Sequence, residues 1–423
     1  MAKVNSEYDA IIIGAGPAGS TAATVLARHG RSVAILERKR FPRYHVGESL
    51  MPYCYFTLNR LGVIDQLRCK GYPEKYSVQF VGTDGTVSSP FYFFEHMDHP
   101  CTTTWQVWRS EFDQMLLEAA VKAGARVYHG TSAKTLIASN GGVVGVRVTD
   151  DQGATGEFRG AVTIDASGRD MFTGTRMNWR QRDPKLSKVS IWTYYRNALR
   201  DPGLDAGATT VAYLPEKGWF WYIPMRDNRV SVGVVAEKDY LYRNGARDPG
   251  EILQSQVANN PWIKRHLAPA EQVGEYWVTG DYSYRSRYCG TNGLLLVGDA
   301  YAFLDPVFSS GVFLALKSGE LGADAVHAAL ENGDVTATAF EGYAETMCGG
   351  IEAMRKLVYA FYDRGFSFGK VIREYPDRRG DLTDCLIGDL FRDFTGLFEA
   401  VGCFAELPEP LPYGRPTARM VHD

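Results

Sequence analysis

No long hydrophobic run, no charge excess and no paired-cysteine pattern occurs in these 423 residues. Without an uncharged apolar stretch of about 18 residues, nothing in the sequence is expected to span a membrane. Lys plus Arg number 46 and Asp plus Glu 49, a net charge of −3. So balanced a chain lacks the field that holds a nucleic acid. The seven cysteines are scattered at positions 54, 69, 101, 289, 348, 385 and 403. With no C-x-x-C pair and no histidine cluster, they suggest neither a disulfide framework nor a zinc site. No metal site is expected. No charged-then-apolar leader is visible, and a reducing, cytoplasmic setting is the expectation.

What the chain has in surplus is aromatic rings: 8 Trp, 24 Tyr and 21 Phe, 53 in all. They cluster. Residues 72–112 hold 10, residues 192–222 hold 8, and residues 340–368 hold 7. A core surplus would be spread evenly, so the clustering points to a flat pocket for an aromatic ligand. At about 150 residues per domain, the length suggests two or three domains.

Tyr8–Ile13 reads as a buried strand and Ser20–His29 as a helix closed by Gly30. Ser32–Leu36 is a second strand ending at Glu37. Between the first strand and the helix lies Gly14-Ala15-Gly16-Pro17-Ala18-Gly19, a G-x-G-x-x-G in its proper strand–turn–helix setting. The glycines permit a tight turn and close backbone approach, and the helix start faces a pyrophosphate. Ala18 lies inside the motif. Glu37, with Arg38 beside it, is placed to accept from ribose hydroxyls, which favours FAD or NAD over NADP. Ser110 and Asp113 suggest a capping box opening another helix. Strands are expected at Arg126–Tyr128, Val143–Val148, Ala161–Ile164 and Leu294–Val297. Residues 187–235 alternate as an antiparallel sheet, and a long helix is expected over Gly311–Leu330.

Gly298-Asp299-Ala300 after a late apolar strand, joined to the first motif, resembles the FAD-dependent monooxygenase superfamily. Asp165-Ala166-Ser167-Gly168-Arg169 resembles its middle motif, and Arg109 its cofactor-contacting arginine. The resemblance narrows at Gly218-Trp219-Phe220-Trp221-Tyr222-Ile223-Pro224, whose W-x-W-x-I-P is the signature of flavin-dependent halogenases. Gly47-Glu48-Ser49 is similar to the family's loop beside the flavin ring. Asp305-Pro306-Val307-Phe308-Ser309-Ser310-Gly311 is similar to its halide-binding segment, with Ser310 and Gly311 as ligands at a helix start. The length and this segment look closest to the phenol and pyrrole halogenases. The catalytic glutamate of the longer tryptophan halogenases has no convincing counterpart.

The resemblance implies an α/β fold with an α+β insert. A Rossmann-like FAD-binding domain would span 1–80, 100–185 and 270–335. An antiparallel-sheet substrate domain would span 81–99 and 186–269. A helical C-terminal segment, 336–423, would cover the substrate pocket. It implies FADH2 from a separate flavin reductase, oxygen, and chloride or bromide as co-substrates. Hypohalous acid would cross an internal passage to a catalytic lysine, Lys75, with Trp219 and Trp221 as the dividing wall. Phe80, Phe308, Tyr359 and Tyr362 would line the pocket for an electron-rich ring, free or held on an acyl carrier protein. Arg355, Lys356, Arg364, Lys370 and Arg373 could form a docking patch or a solvated face. Glu74 alternates away from Lys75. An FAD aromatic hydroxylase or prenyl reductase, or a flavin-binding partner protein without turnover, shares the FAD motifs but needs neither Lys75 nor the Trp pair.

Overall fold

The structure, a computed structural model, describes residues 7–280 and 283–418. Its first layer is a largely parallel sheet centred on Glu7–Ile13. That strand pairs in parallel with Val33–Glu37 on one side and Thr155–Asp165 on the other. Arg126–His129 and Leu294–Leu296 extend the sheet outward, again in parallel. Ala10, Ile11 and Ile12 are fully buried, because helices cover one face and the hairpin Thr131–Asp150 packs near the other. A parallel strand so enclosed reads as a continuous apolar run.

The first helix runs Pro17–Arg28, starting earlier than the Ser20 expectation because Pro17 sits at its first position. The next long helix is Arg109–Ala123, ending at Gly124 with φ +115°. The capping box at Ser110 and Asp113 does not form. Trp108 occupies the cap, and Asp113 turns inward to Arg109 instead. The long helix Ser310–Glu331 packs on the first helix near the sheet's carboxyl edge.

A second sheet of seven strands stands beside the first. Its order is Glu271–Gly280, Lys188–Arg196, Arg229–Glu237, Trp219–Met225, Thr209–Tyr213, Ser77–Val81, Phe91–Tyr92. Ser77–Val81 and Glu271–Gly280, expected within 1–80 and 270–335, pair into this sheet. The sheet is also mixed, since Thr209–Tyr213 runs parallel to Ser77–Val81. Parallel neighbours require a long crossover, which sequence alternation alone does not reveal.

One face of this sheet carries Phe80, Val211, Trp219, Trp221 and Trp192 into the main core. The other carries Phe220, Tyr222 and Val232 into a separate core against the helices of residues 238–267. The helix Glu341–Tyr362 closes the first face, and an extended tail follows the helix Thr395–Gly402.

Candidate active site

A cavity of about 560 Å³ lies between the two sheets. At one end are Gly14, Gly16, Pro17 and Ala18; at the other are Trp219, Trp221, Pro306, Ser309 and Gly311. The loop Arg43–Ser49 runs along it. The shape of the first end depends on glycine. Gly14 has φ +101°, and a Cβ there would lie 2.5 Å from the Ala166 carbonyl oxygen. A Cβ on Gly19 would lie 2.0 Å from the Gly14 oxygen, so Gly19 serves strand–helix packing and does not line the cavity. The Glu37 carboxylate accepts the Ala15 N–H at 2.9 Å and the Lys39 N–H at 2.8 Å, fixing the turn while still edging the cavity. Arg38 edges it too, paired to Asp170 at 2.6 Å.

Arg109 reaches the cavity from the start of its helix, but most of its donors are committed to the protein. Its Nε and Nη2 donate to the buried Asp113 at 2.8 and 3.1 Å, and Nη1 donates to the Val46 carbonyl at 2.7 Å. Arg43 pairs with the same carboxylate at 3.3 Å. The sequence places Asp113 in a capping box and does not show its pairing with Arg109; the i,i+4 spacing is the available signal. Together these residues pin the loop carrying Gly47, Glu48 and Ser49. Glu48 is buried, accepts the Tyr194 hydroxyl at 2.5 Å, and burial raises its pKa.

Asp165 departs from expectation. Its two oxygens accept the Ser167 and Thr173 N–H groups at 3.0 and 2.7 Å, and it stands behind the cavity wall. The neighbouring Ala166, Ser167, Gly168 and Arg169 line the cavity instead. Gly298, with φ +59°, also supports from behind while Asp299 lines the cavity, its pKa raised to about 6 by burial.

Lys75 lies past the far end, behind Ser49. It is 2% exposed, and among the described residues no carboxylate pairs with it. Nζ donates to Ser49 Oγ at 3.0 Å and to the Leu50 carbonyl at 3.2 Å, and sits 5.7 Å from the Phe93 ring centre. Ser49 Oγ also contacts Thr209 Oγ1 at 2.7 Å. Burial lowers the Lys75 pKa to about 7. Glu74 is exposed, as alternation requires.

Trp219 and Trp221 share one face and line the cavity, 6.2 Å apart. Trp219 Nε1 donates to the Tyr362 hydroxyl at 2.8 Å, which donates to Asp305 Oδ2 at 2.8 Å. Asp305 is fully buried, and burial raises its pKa to about 6. Phe80, Phe308 and Tyr362 join one aromatic cluster through Phe361 and Phe368. Tyr359 does not; its hydroxyl is bound by Asp183 at 2.7 Å. Arg355 is also withdrawn from the basic patch, buried beside Glu352 at 2.8 Å. Lys356 stacks over Phe398, while Arg364, Lys370 and Arg373 are exposed.

At the start of the long helix, Gly311 and Ser309 line the cavity. Ser310 Oγ is buried just behind them, with no hydrogen-bond partner among the described residues. First-turn N–H groups, an orphaned hydroxyl and a glycine cradle at the opposite end suit a long anionic dinucleotide and a small anion. FAD has that shape and charge.

The FAD binding domain family matches residues 7–320. The chain is 32% identical over 388 residues to a 1H-pyrrole-2-carbonyl-[peptidyl-carrier protein] brominase of Pseudoalteromonas luteoviolacea, covering 91% of this chain and 92% of that one. It is 29% identical to the corresponding chlorinase of Pseudomonas fluorescens, covering 91% and 90%. The flavin-dependent brominase Bmp2 superposes with a TM-score of 0.85 at 30% identity, over 93% of this chain and 98% of that one. The myxobacterial chondrochloren halogenase CndH gives 0.81 at 30%, over 94% and 96%.

Proposed function

The chain belongs to the flavin-dependent halogenases, and from that premise we propose that it halogenates an electron-rich ring, of pyrrole or phenol type, carried on an acyl carrier protein. The family binds FAD, uses halide, and is enzymatic. The single observation that carries the finer reading is Lys75: a buried lysine with which no carboxylate among the described residues pairs, behind the far wall of the cofactor cavity. Such a residue is costly to the fold and marks a functional site.

Gly14, Gly16, Ala18 and Glu37 hold the dinucleotide, with Arg109, Gly47 and Glu48 shaping the loop beside its ring. Bound reduced flavin and oxygen supply the oxidising power for halide. Ser310 and Gly311 hold the halide at the helix start, where the first-turn N–H groups face the cavity. Trp219 and Trp221 keep the organic substrate off the flavin. Lys75 has three N–H donors and spends two on Ser49 and Leu50. The third polarises hypohalous acid toward the substrate ring, and the neutral amine available near pH 7 gives a haloamine alternative at the same atom. A flavin reductase in the cytoplasm supplies FADH2.

A second cavity of about 440 Å³ supports the tethered form of substrate. It is lined by Thr83, Tyr213, Pro215, Arg364, Phe366 and Ser367 among others. Tyr213 stacks on Phe361 at 5.2 Å and on Phe80 at 6.3 Å, so this cavity abuts the aromatic cluster. Exposed Arg364, Lys370 and Arg373 suit an acidic carrier.

The test is mass spectrometry of assays containing FAD, a reductase, chloride or bromide, and either pyrrolyl-carrier protein or free pyrrole-2-carboxylate. The expected product is carrier-bound and shows the halogen isotope pattern. A product heavier by one oxygen would overturn halogenation of this substrate in favour of hydroxylation, and equal turnover of the free acid would overturn the tether. Lys75→Ala should lose halogenation while retaining FAD binding and flavin reoxidation.

A further inference from the structure

The indole wall does not stop at Trp219 and Trp221. Trp221 lies 6.1 Å from Trp192, Trp192 lies 6.1 Å from Trp277, and Trp277 stacks at 4.8 Å on Tyr44. Tyr44 is 44% exposed. The rings therefore form one continuous row from the cavity to solvent, across four strands of the second sheet. The Trp192 Nε1–H also donates to the Tyr44 hydroxyl at 2.8 Å.

The register shows how the row is built. Trp277 pairs with Trp192, Trp192 with Gly233, and Gly233 with Trp221. Ladder neighbours lie on one face of a sheet, so a side chain at 233 would separate the two indoles. A Cβ there would lie 2.2 Å from Trp221 Cζ2 and 2.6 Å from Trp192 Cβ. Gly233 is extended and carries no turn. A glycine inside a strand marks a close approach, and here the groups that approach are the two indoles. Separating walls need bulk at the cavity alone; they do not need a row of rings that reaches the surface.

Indole and phenol are among the side chains most readily oxidised by one electron. We propose that Trp221, Trp192, Trp277 and Tyr44 form a one-electron conduit between the FAD site and solvent, giving the protein a light-driven, reductase-independent route to reduce its own FAD. Under blue light an electron passes from Trp221 to the excited oxidised flavin. Trp192 refills Trp221, Trp277 refills Trp192, and Tyr44 refills Trp277. The Tyr44 O–H bond breaks, its proton goes to water, and a neutral phenoxyl radical remains. A small-molecule hydrogen-atom donor of the ascorbate class restores the phenol. Per event, one donor loses one hydrogen atom, and the flavin gains one electron with a proton from water; two such events, consuming two donors, complete the reduction of one FAD.

The experiment illuminates FAD-loaded protein, freed of unbound flavin, with ascorbate under argon and without reductase. Flavin bleaching is followed optically, and radicals in samples lacking ascorbate are followed by electron paramagnetic resonance. Wild type should bleach and show a tyrosyl signal. Trp192→Phe should bleach at least tenfold more slowly. Tyr44→Phe, at a half-exposed position that puts folding at little risk, should lose the tyrosyl signal and the acceleration by ascorbate. Trp262→Phe, on the opposite face of the sheet, should match wild type. Wild-type bleaching in Trp192→Phe, equal slowing in Trp262→Phe, or an unchanged radical in Tyr44→Phe would each overturn the conduit.

Discussion

Replacing Lys75 by methionine should make the protein harder to unfold at neutral pH, and the advantage should shrink as pH rises. The lysine pKa falls from 10.5 to about 7 on burial. At about 1.36 kcal/mol per pKa unit, keeping that site occupied by lysine costs about 4 kcal/mol at pH 7 and about 2 kcal/mol at pH 9. The sign follows from proton binding. Between pH 7 and 10.5 the unfolded chain carries the extra proton, so wild-type stability rises with pH across that window. Methionine fills similar volume but loses the bonds to Ser49 and Leu50, which offsets roughly 1–2 kcal/mol of the gain. The net advantage of Lys75→Met is therefore about 2–3 kcal/mol at pH 7, a sizeable part of a typical folding free energy. Guanidinium denaturation of both proteins at pH 7 and 9, at one fixed FAD concentration, measures the gap directly. A gap that stays constant or widens between the two pH values would refute the claim that Lys75 is buried without compensation.

Gly14→Ala should abolish FAD binding, because it combines a φ of +101° with a Cβ 2.5 Å from the Ala166 oxygen; flavin retention on a desalting column reports it. Asp113→Asn strands the buried Arg109 guanidinium and should cost roughly 3–5 kcal/mol, read as a lowered denaturation midpoint. Tyr362→Phe leaves Asp305 and Trp219 each short of a partner and should destabilise by roughly 1–3 kcal/mol; an unchanged melting temperature would contradict the hydrogen-bonded chain. Ser367→Trp, which fills the second cavity, should raise KM for carrier-bound substrate and leave flavin reoxidation unchanged.

The parts of the site that were legible in the sequence are the locally encoded ones. The glycine turn, Glu37 after its strand and the two tryptophans on one strand face follow from chain neighbours and strand alternation. Lys75 was found by resemblance, and its burial could not be read from a two-residue strand paired to Thr104–Trp105. Asp165 misled because a carboxylate ending a strand can serve a ligand or its own next turn, and the choice depends on Thr173, eight residues away. Tyr359 and Tyr362 sit one turn apart on the same helix, yet one meets Asp183 and the other Trp219. That difference lies in the facing elements, which no periodicity reports. The sheet membership of Ser77–Val81 and Glu271–Gly280 was hidden for the same reason: their partners lie more than a hundred and about eighty residues distant.

The central strand Glu7–Ile13 pairs with Thr155–Asp165, which in turn pairs with Leu294–Leu296, and the cavity closes only at the first turns of the long helix, Gly311 to Ala315. During synthesis the glycine turn therefore precedes its last wall by nearly three hundred residues. At about 5–20 residues per second, that is roughly 15–60 s of translation. Through this interval the nascent sheet has an unpaired, apolar parallel edge, the kind of surface that invites chaperones or aggregation. FAD can be captured in full only after the long helix emerges. Expression yield should thus respond to slower translation and to chaperone supply more than to flavin added early, a burden imposed by the order of segments along the chain.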